Sequence, residues 1–226
     1  MRVALCFSGM PRFVEEAFPY WKQSLLDPYQ PDVFVHTWEN TGPSYNNLRQ
    51  TLLTLYNPRA LTIQAPQTFD VSIYRDRIWP HRTTPSNQVS QYTSIKRSLE
   101  LRRQWETQHE FEYDIVIRAR FDWYLKEADL EVNDKINVAH TPTLLNHRFQ
   151  FQGQPHVGIS DQFAYGSSRN MTIYSQLVDN MPRLYQDHGI DFCGELFLKA
   201  HLLYHQLDVK EHRWTNGMVR SDGIMP

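Results

Sequence analysis

The chain has 226 residues, a formal charge of −2, 41% apolar and 21% charged side chains. It is long enough for one full-sized core, and it lacks the basic field of a general nucleic-acid binder, so no nucleic-acid polymer is expected as a partner. No apolar run approaches a membrane span, the opening "MRVALCFSG" is too short in its apolar part for a signal peptide, and two cysteines, Cys6 and Cys193, form neither a disulfide framework nor zinc spacing. A cytoplasmic location is the expectation.

The first strand is predicted at "RVALCFSG", a short apolar run ending in small residues before Pro11. In "RFVEEAFPYWKQSLLD" the residues Phe13, Ala17, Tyr20 and Leu25 recur near helical spacing, and Pro19 must kink or split that helix. "PDVFVHTWEN" reads as the second strand, "SYNNLRQTLLTLYN" as a helix and "RALTIQAP" as the third strand. This alternation argues for a parallel sheet flanked by helices. After an irregular stretch over 66–85, a long helix is predicted from about Ser86 to His109, with Ser86 or Asn87 as its N-cap. It delivers the chain to a strand in "YDIVIRARFDWYL" at 113–125. Beyond 124, short apolar pieces alternate with turns, as in "KINVAH" and "HRFQFQGQPHVG". "DQFAYGSS" reads as a strand, helices follow over about 168–180 and 192–206, and "DVKEHRWTNGMVR" is a last extended piece. No repeat or linker interrupts the chain. The expectation is one domain over 1–226, regular α/β in its first half and mixed in its second.

Ligands of open parallel sheets bind beyond the carboxyl ends of the strands. Those ends carry Ser8, Gly9 and, past Pro11, Arg12; then His36, Thr37 and Trp38; then Arg118, Arg120 and Asp122. A glycine that a ligand can approach and an arginine fork suit a phosphate, although a Gly-Pro turn with a surface arginine is also commonplace. Neither GxGxxG nor a Walker motif is present. His36 reads as a partner for a base or ribose, or as a strand-end cap; Trp38 as a stacking platform or as core. In the long helix, beside Gln91, the residues Val89, Tyr92, Lys96 and Leu99 share an inward-looking face. Lys96 there needs an anion, such as a ligand phosphate, or snorkels to solvent. Along an extended chain Arg118, Arg120 and Asp122 fall on one face. They read either as an ion-pair cluster or as arginine on phosphate or sugar, with Asp122 holding magnesium or manganese. One carboxylate is thin for a metal, which brings in Asp161 and His212 as further candidates. Glu195 opens an apolar helix, where the dipole favours a carboxylate; it reads equally as an acceptor-binding or general-base group. His201 and His205, four apart without an HExxH pattern, read as packing or surface residues.

The segments "RVALCFSGMPR", "DVFVHTW", "QYTSIKRSLEL", "YDIVIRARFD", "DQFAYGSSRNM" and "GELFLKAHL" occur in this order in small GT-A-like glycosyltransferases of bacterial surface-polysaccharide genes and of large DNA viruses or phages. The chain resembles them over nearly its whole length. The resemblance implies a GT-A-like, Rossmann-like fold, with a nucleotide-sugar-binding half at 1–123 and an acceptor-binding half at 124–226. It implies transfer of a sugar from a UDP- or GDP-sugar to a hydroxyl of a glycan or small-molecule acceptor. GT-A enzymes close a central strand with a DxD motif whose last aspartate binds the metal. Here Arg120-Phe121-Asp122 stands in that place, so the resemblance carries the Mn2+ or Mg2+ role to Asp122 alone, with His212 like the C-terminal histidine that some of these enzymes add. Arginine in the first position puts strict metal dependence in question, because arginine can itself stabilise a departing phosphate. Ser8, Gly9, Arg12, Gln91, Tyr92, Lys96 and Arg118 would line the diphosphate pocket, and Asp161 or Glu195 would be the base of an inverting enzyme. Two other readings stand beside this one: a sugar nucleotidyltransferase, and an inactive homologue that binds nucleotides or glycans.

Overall fold

A computed structural model describes residues 1–39, 47–78, 84–140 and 148–220, and the backbone of 223–225. The predicted strand end at Asn40, helix start at 44–46, Pro80, His147 and part of the closing "SDG" lie outside the described residues.

Strand β1 (Val3–Gly9) leads into α1 (Val14–Trp21), which contains Pro19. The proline does not split the helix. The chain continues through a π-helical turn at Lys22–Leu26 into a last single turn, α2 (Asp27–Tyr29). Strand β2 (Asp32–Trp38), α3 (Leu48–Tyr56), β3 (Ala60–Gln64) and the long α4 (Pro85–Gln108) follow. The N-cap of α4 is Thr84, whose hydroxyl accepts from the Asn87 amide at 3.4 Å, and not Ser86 or Asn87. Pro85 at the first helical position costs nothing there, because that amide has no helical partner anyway.

Strand β4 (Ile115–Ala119) is shorter than "YDIVIRARFDWYL" suggests: the chain turns at Phe121 and Asp122 and enters β5 (Trp123–Leu125) in another sheet. The second half contains β6 (Ile136–Ala139), the hairpin β7 (Arg148–Phe151) and β8 (Gln154–Val157), and β9 (Phe163–Gly166). Three helices then follow where two were predicted: α5 (Ser168–Ser175), α6 (Leu177–Gln186) and α7 (Gly194–Tyr204). Strands β10 (Val209–His212), β11 (Asn216–Arg220) and β12 (Gly223–Met225) end the chain. Among the described residues, no helix is long and apolar enough to cross a membrane.

The central sheet has seven strands in the order β10-β6-β9-β4-β1-β2-β3. Its neighbours run parallel, except that β9 is antiparallel to both β4 and β6. The expected mostly parallel sheet flanked by helices is therefore present, with one reversed strand. Alternation along the strands sends Leu5, Phe7, Ile115 and Ile117 into a core with Trp21 and Leu52, and sends Ala4, Cys6, Phe34 and Val116 into a second core with Ile95, Leu99 and Phe197. Helix α4 covers this second face. It carries Ser86, Ser90, Ser94 and Ser98 at every fourth position, and the last two are fully buried. Small side chains in one row let a helix approach a sheet closely.

Candidate functional site

The chain passes from β1 to β2 and β3 on one side, while β4 lies on the other, so the sheet order reverses between β1 and β4. Beyond the carboxyl ends of strands at such a point, loops diverge and leave a crevice. Here a cavity of about 530 Å3 opens there, roofed by the first turns of α4. The volume suits a small-molecule ligand. Ser8, Gly9, Arg12, Arg118, Arg120 and Asp122 line it, joined by Trp38 and by Asn87, Ser90 and Gln91 of α4. Seven of the residues nominated from sequence thus meet in one cavity.

Gly9 sits at φ 101°, where a side chain is strained, and a Cβ there would meet no atom within 4 Å. The backbone conformation, not crowding, requires glycine, and a ligand can approach it closely. The Gly9 amide donates to Ser94 Oγ at 2.7 Å, and Ser94 Oγ is also 2.7 Å from His36 Nδ1. His36 Nε2 lies 2.8 Å from Gln64 Oε1, which also accepts from Arg97. An oxygen that only accepts assigns the proton to Nε2. Both ring nitrogens are thereby occupied within the protein, and His36 is a buried brace behind Gly9, not a ligand for base or ribose.

Burial draws the His36 pKa from 6.5 to about 4, against the Gln64 hydrogen bond and with the help of Arg97. Burial also draws His201 to about 4, although its Nε2 lies 2.8 Å from the Ile173 carbonyl. Unfolding below pH 6.5 lets each imidazole take a proton that the fold refuses until about pH 4. Stability is thus complete above pH 6.5 and declines as pH falls towards 4, by about 3 kcal/mol per histidine. Thermal melts across this range should show the decline in the wild type and a shallower one in His36→Gln with His201→Gln; equal slopes would contradict it.

Arg118 is the feature that stands out. Its side chain has no solvent exposure, and none of its three guanidinium nitrogens has a partner among the described residues. Burial raises the pKa of the Tyr92 and Tyr174 hydroxyls, and the Arg118 charge works against that rise in both. Tyr174 Oη, Ser8 Oγ, Gln88 Oε1 and Trp38 Nε1 are also buried and unpartnered. Buried polar groups are ordinarily paired, and an unpaired buried cation costs several kcal/mol. An unspent guanidinium at a cavity wall, with Ser8 and Trp38 lining the same cavity, is complementary to an anion.

Arg120 and Asp122 form a two-pronged pair: Nε donates to Oδ1 at 2.8 Å and a terminal nitrogen to Oδ2 at 2.7 Å. Burial lowers the Arg120 pKa, but the charge and hydrogen bonds of Asp122, and the charge of Asp161, outweigh this and hold it above the usual arginine value. Asp161 accepts from Gln91 Nε2 at 2.6 Å and from Tyr92 Oη at 3.3 Å. The one Tyr92 hydroxyl proton is shared with the Gly194 carbonyl at 2.9 Å, so Tyr92 is a buried strut, not a lining residue. Glu195, in the first turn of α7, accepts from Cys193 Sγ at 3.0 Å.

Two nominated residues are elsewhere. Lys96 Nζ is 2.7 Å from Asp179 of α6, in a depression away from the cavity. An acid of the helix that sequence reading merged with α5 is its anionic partner, so no ligand phosphate is needed. His212, at the end of the edge strand β10, has Nε2 2.9 Å from Asn137 Oδ1 of β6 and stacks on Trp214 at 4.2 Å. Three strand spacings, about 14 Å, separate β10 from β4. Among the described residues no three His, Cys, Asp or Glu side chains form a metal-binding group, and both oxygens of Asp122 are engaged by a cation. The described residues do not fit a divalent metal.

Residues that carry the site but were not singled out from sequence are Ser94, Gln64 and Tyr174. For Ser94 a signal existed: four serines at helical spacing on α4 mark the face laid against the sheet. For Gln64 and Tyr174 none did, since their roles depend on contacts distant in sequence.

A family model described as Domain of unknown function (DUF7796) matches residues 1–221, and the chain belongs to that family. No curated protein matches the chain.

Proposed function

We propose that this DUF7796 member is a GT-A-like glycosyltransferase that moves a sugar from a nucleoside-diphosphate sugar to an acceptor hydroxyl. The single observation that carries the reading is Arg118: a fully buried guanidinium without a partner among the described residues, at a cavity wall on the switch point of the sheet. A diphosphate supplies what that group lacks. Arg12 and Arg120 line the same cavity, and Trp38, edge-on to His36 at 4.9 Å, offers an aromatic wall beside it.

In the proposed reaction the acceptor oxygen bonds to the anomeric carbon as the bond from that carbon to the β-phosphate oxygen breaks. The electron pair leaves on the nucleoside diphosphate. The acceptor proton passes to Asp161, which is hydrogen-bonded to Tyr92 and to Gln91, itself a lining residue of the cavity. Charge neutralisation and positioning supply most of the acceleration. Glu195 at the N-terminus of α7 is assigned to acceptor binding on that side of the sheet.

The test is release of UDP or GDP from a panel of UDP- and GDP-sugars in the presence of glycan acceptors. Turnover of one donor, with the sugar recovered on the acceptor, is expected. Nucleotide binding without turnover of any donor would instead indicate an inactive binding homologue. Pyrophosphate release from a nucleoside triphosphate and a sugar phosphate would indicate a nucleotidyltransferase.

A further inference from the structure

We infer that the site binds its diphosphate by arginines alone, with the Arg120–Asp122 pair standing where a metal centre would be; this rests on the transferase reading above. Among the described residues the cavity is lined by Arg12, Arg118 and Arg120 against the carboxylate of Asp122, with Asp161 bonded to the lining residue Gln91, so arginines outnumber carboxylates before any ligand enters. That excess favours a diphosphate without an added cation.

Asp122 cannot serve two cations well. Its carboxylate receives the Arg120 fork at 2.8 and 2.7 Å and is almost fully buried, at 4% side-chain exposure against 23% for Arg120. A divalent ion on the same oxygens would face the guanidinium at contact distance, and the two positive charges would repel. Nor, among the described residues, does any group of three His, Cys, Asp or Glu side chains form that could hold a metal, and His212 is bound to Asn137 on the far strands.

Each group then has a distinct task. Arg118, with all its donors unspent, binds phosphate oxygens through its planar fork. Arg120 meets the same anion with its exposed edge. Asp122 is a positioning residue: it keeps Arg120 from swinging to solvent and aims it at the cavity. As the anomeric bond breaks, the charge that develops on the leaving diphosphate falls between two fixed guanidinium groups, which need no reorganisation to receive it.

The experiment is calorimetric titration of the full chain with UDP and with GDP, in EDTA and again in manganese chloride. At least one nucleotide is expected to bind equally well in both buffers. Arg120→Gln should weaken it roughly tenfold to a hundredfold in EDTA, the loss of a charge-assisted contact, with no recovery in manganese. Asp122→Asn should weaken it by a smaller factor, the same in both buffers, with melting curves verifying that each variant is folded. Wild-type binding that requires manganese, together with loss of that requirement in Asp122→Asn, would overturn the inference and leave the transferase reading standing. Arg120→Gln binding at wild-type strength in EDTA would also overturn it. Absence of binding by either nucleotide in both buffers would overturn both together.

Discussion

Arg118→Met should melt several degrees above the wild type and bind nucleoside diphosphates at least about a hundredfold more weakly. The two effects have opposite signs and one cause. In the free protein the guanidinium has left water without gaining a hydrogen bond or an ion pair among the described residues. Methionine has an unbranched stem of comparable reach and adds no unsatisfied donor. Replacing buried charges by well-packed apolar side chains stabilises by about 1–4 kcal/mol, and in a chain of this size each kcal/mol moves the melting point by roughly 2–4 °C. With a diphosphate bound, the same guanidinium becomes the paired member of a charge-assisted contact, and its loss is felt there in full. Differential scanning calorimetry with and without UDP or GDP reads both effects. A variant that melts lower than the wild type and binds nucleotide unchanged would mean that Arg118 has a structural partner after all.

Arg102→Met, on the same face of the fold, should do the reverse: destabilise by about 3–5 kcal/mol and leave nucleotide binding alone. Arg102 is as deeply buried as Arg118, but it donates to Glu106 Oε2 at 2.5 Å, to Ser168 Oγ at 2.5 Å and to Thr172 Oγ1 at 3.1 Å. Glu106 in turn accepts from the Tyr113 amide at 2.8 Å and from Ser168 Oγ at 3.0 Å. This network ties α4 to the start of α5 and to the approach to β4. Removing the arginine strands a nearly buried carboxylate, and the melting point should fall by on the order of 10 °C. A stable Arg102→Met protein, or one that had lost nucleotide binding while keeping its melting point, would contradict this. The pair of substitutions makes a clean contrast, because residue type and burial are the same and only the hydrogen bonding differs.

Much of this was legible in the sequence where short-range pattern governs it. The alternation of strands and helices through "RALTIQAP" foretold a parallel sheet, and the polar strand ends at Ser8, His36 and Arg118 foretold which edge would carry a site. What was not legible depends on long-range geometry. The run Arg118–Asp122 reads as one strand with three charges on one face, yet β4 stops at Ala119 and the chain turns, so Arg120 and Asp122 meet by a local fork and not by strand alternation. Lys96 looked inward because its helical neighbours are apolar, but Asp179 lies on a helix, α6, that had been merged with α5 in the sequence. His212 enters as a metal candidate because one carboxylate is thin for a metal, and the resemblance agrees; sheet order puts its strand, β10, at an edge three strand spacings from β4. The same dependence hid the emptiness around Arg118: a sequence shows a cation at a strand end, but not whether anything inside the protein answers it.

The most direct measurement is a crystal structure of the chain with whichever of UDP and GDP it binds. The account predicts the diphosphate at the carboxyl ends of β1 and β4, with phosphate oxygens within hydrogen-bonding distance of the Arg118 guanidinium and the Arg120–Asp122 pair intact beside them. A nucleotide bound elsewhere, with Arg118 still unpartnered, would contradict it.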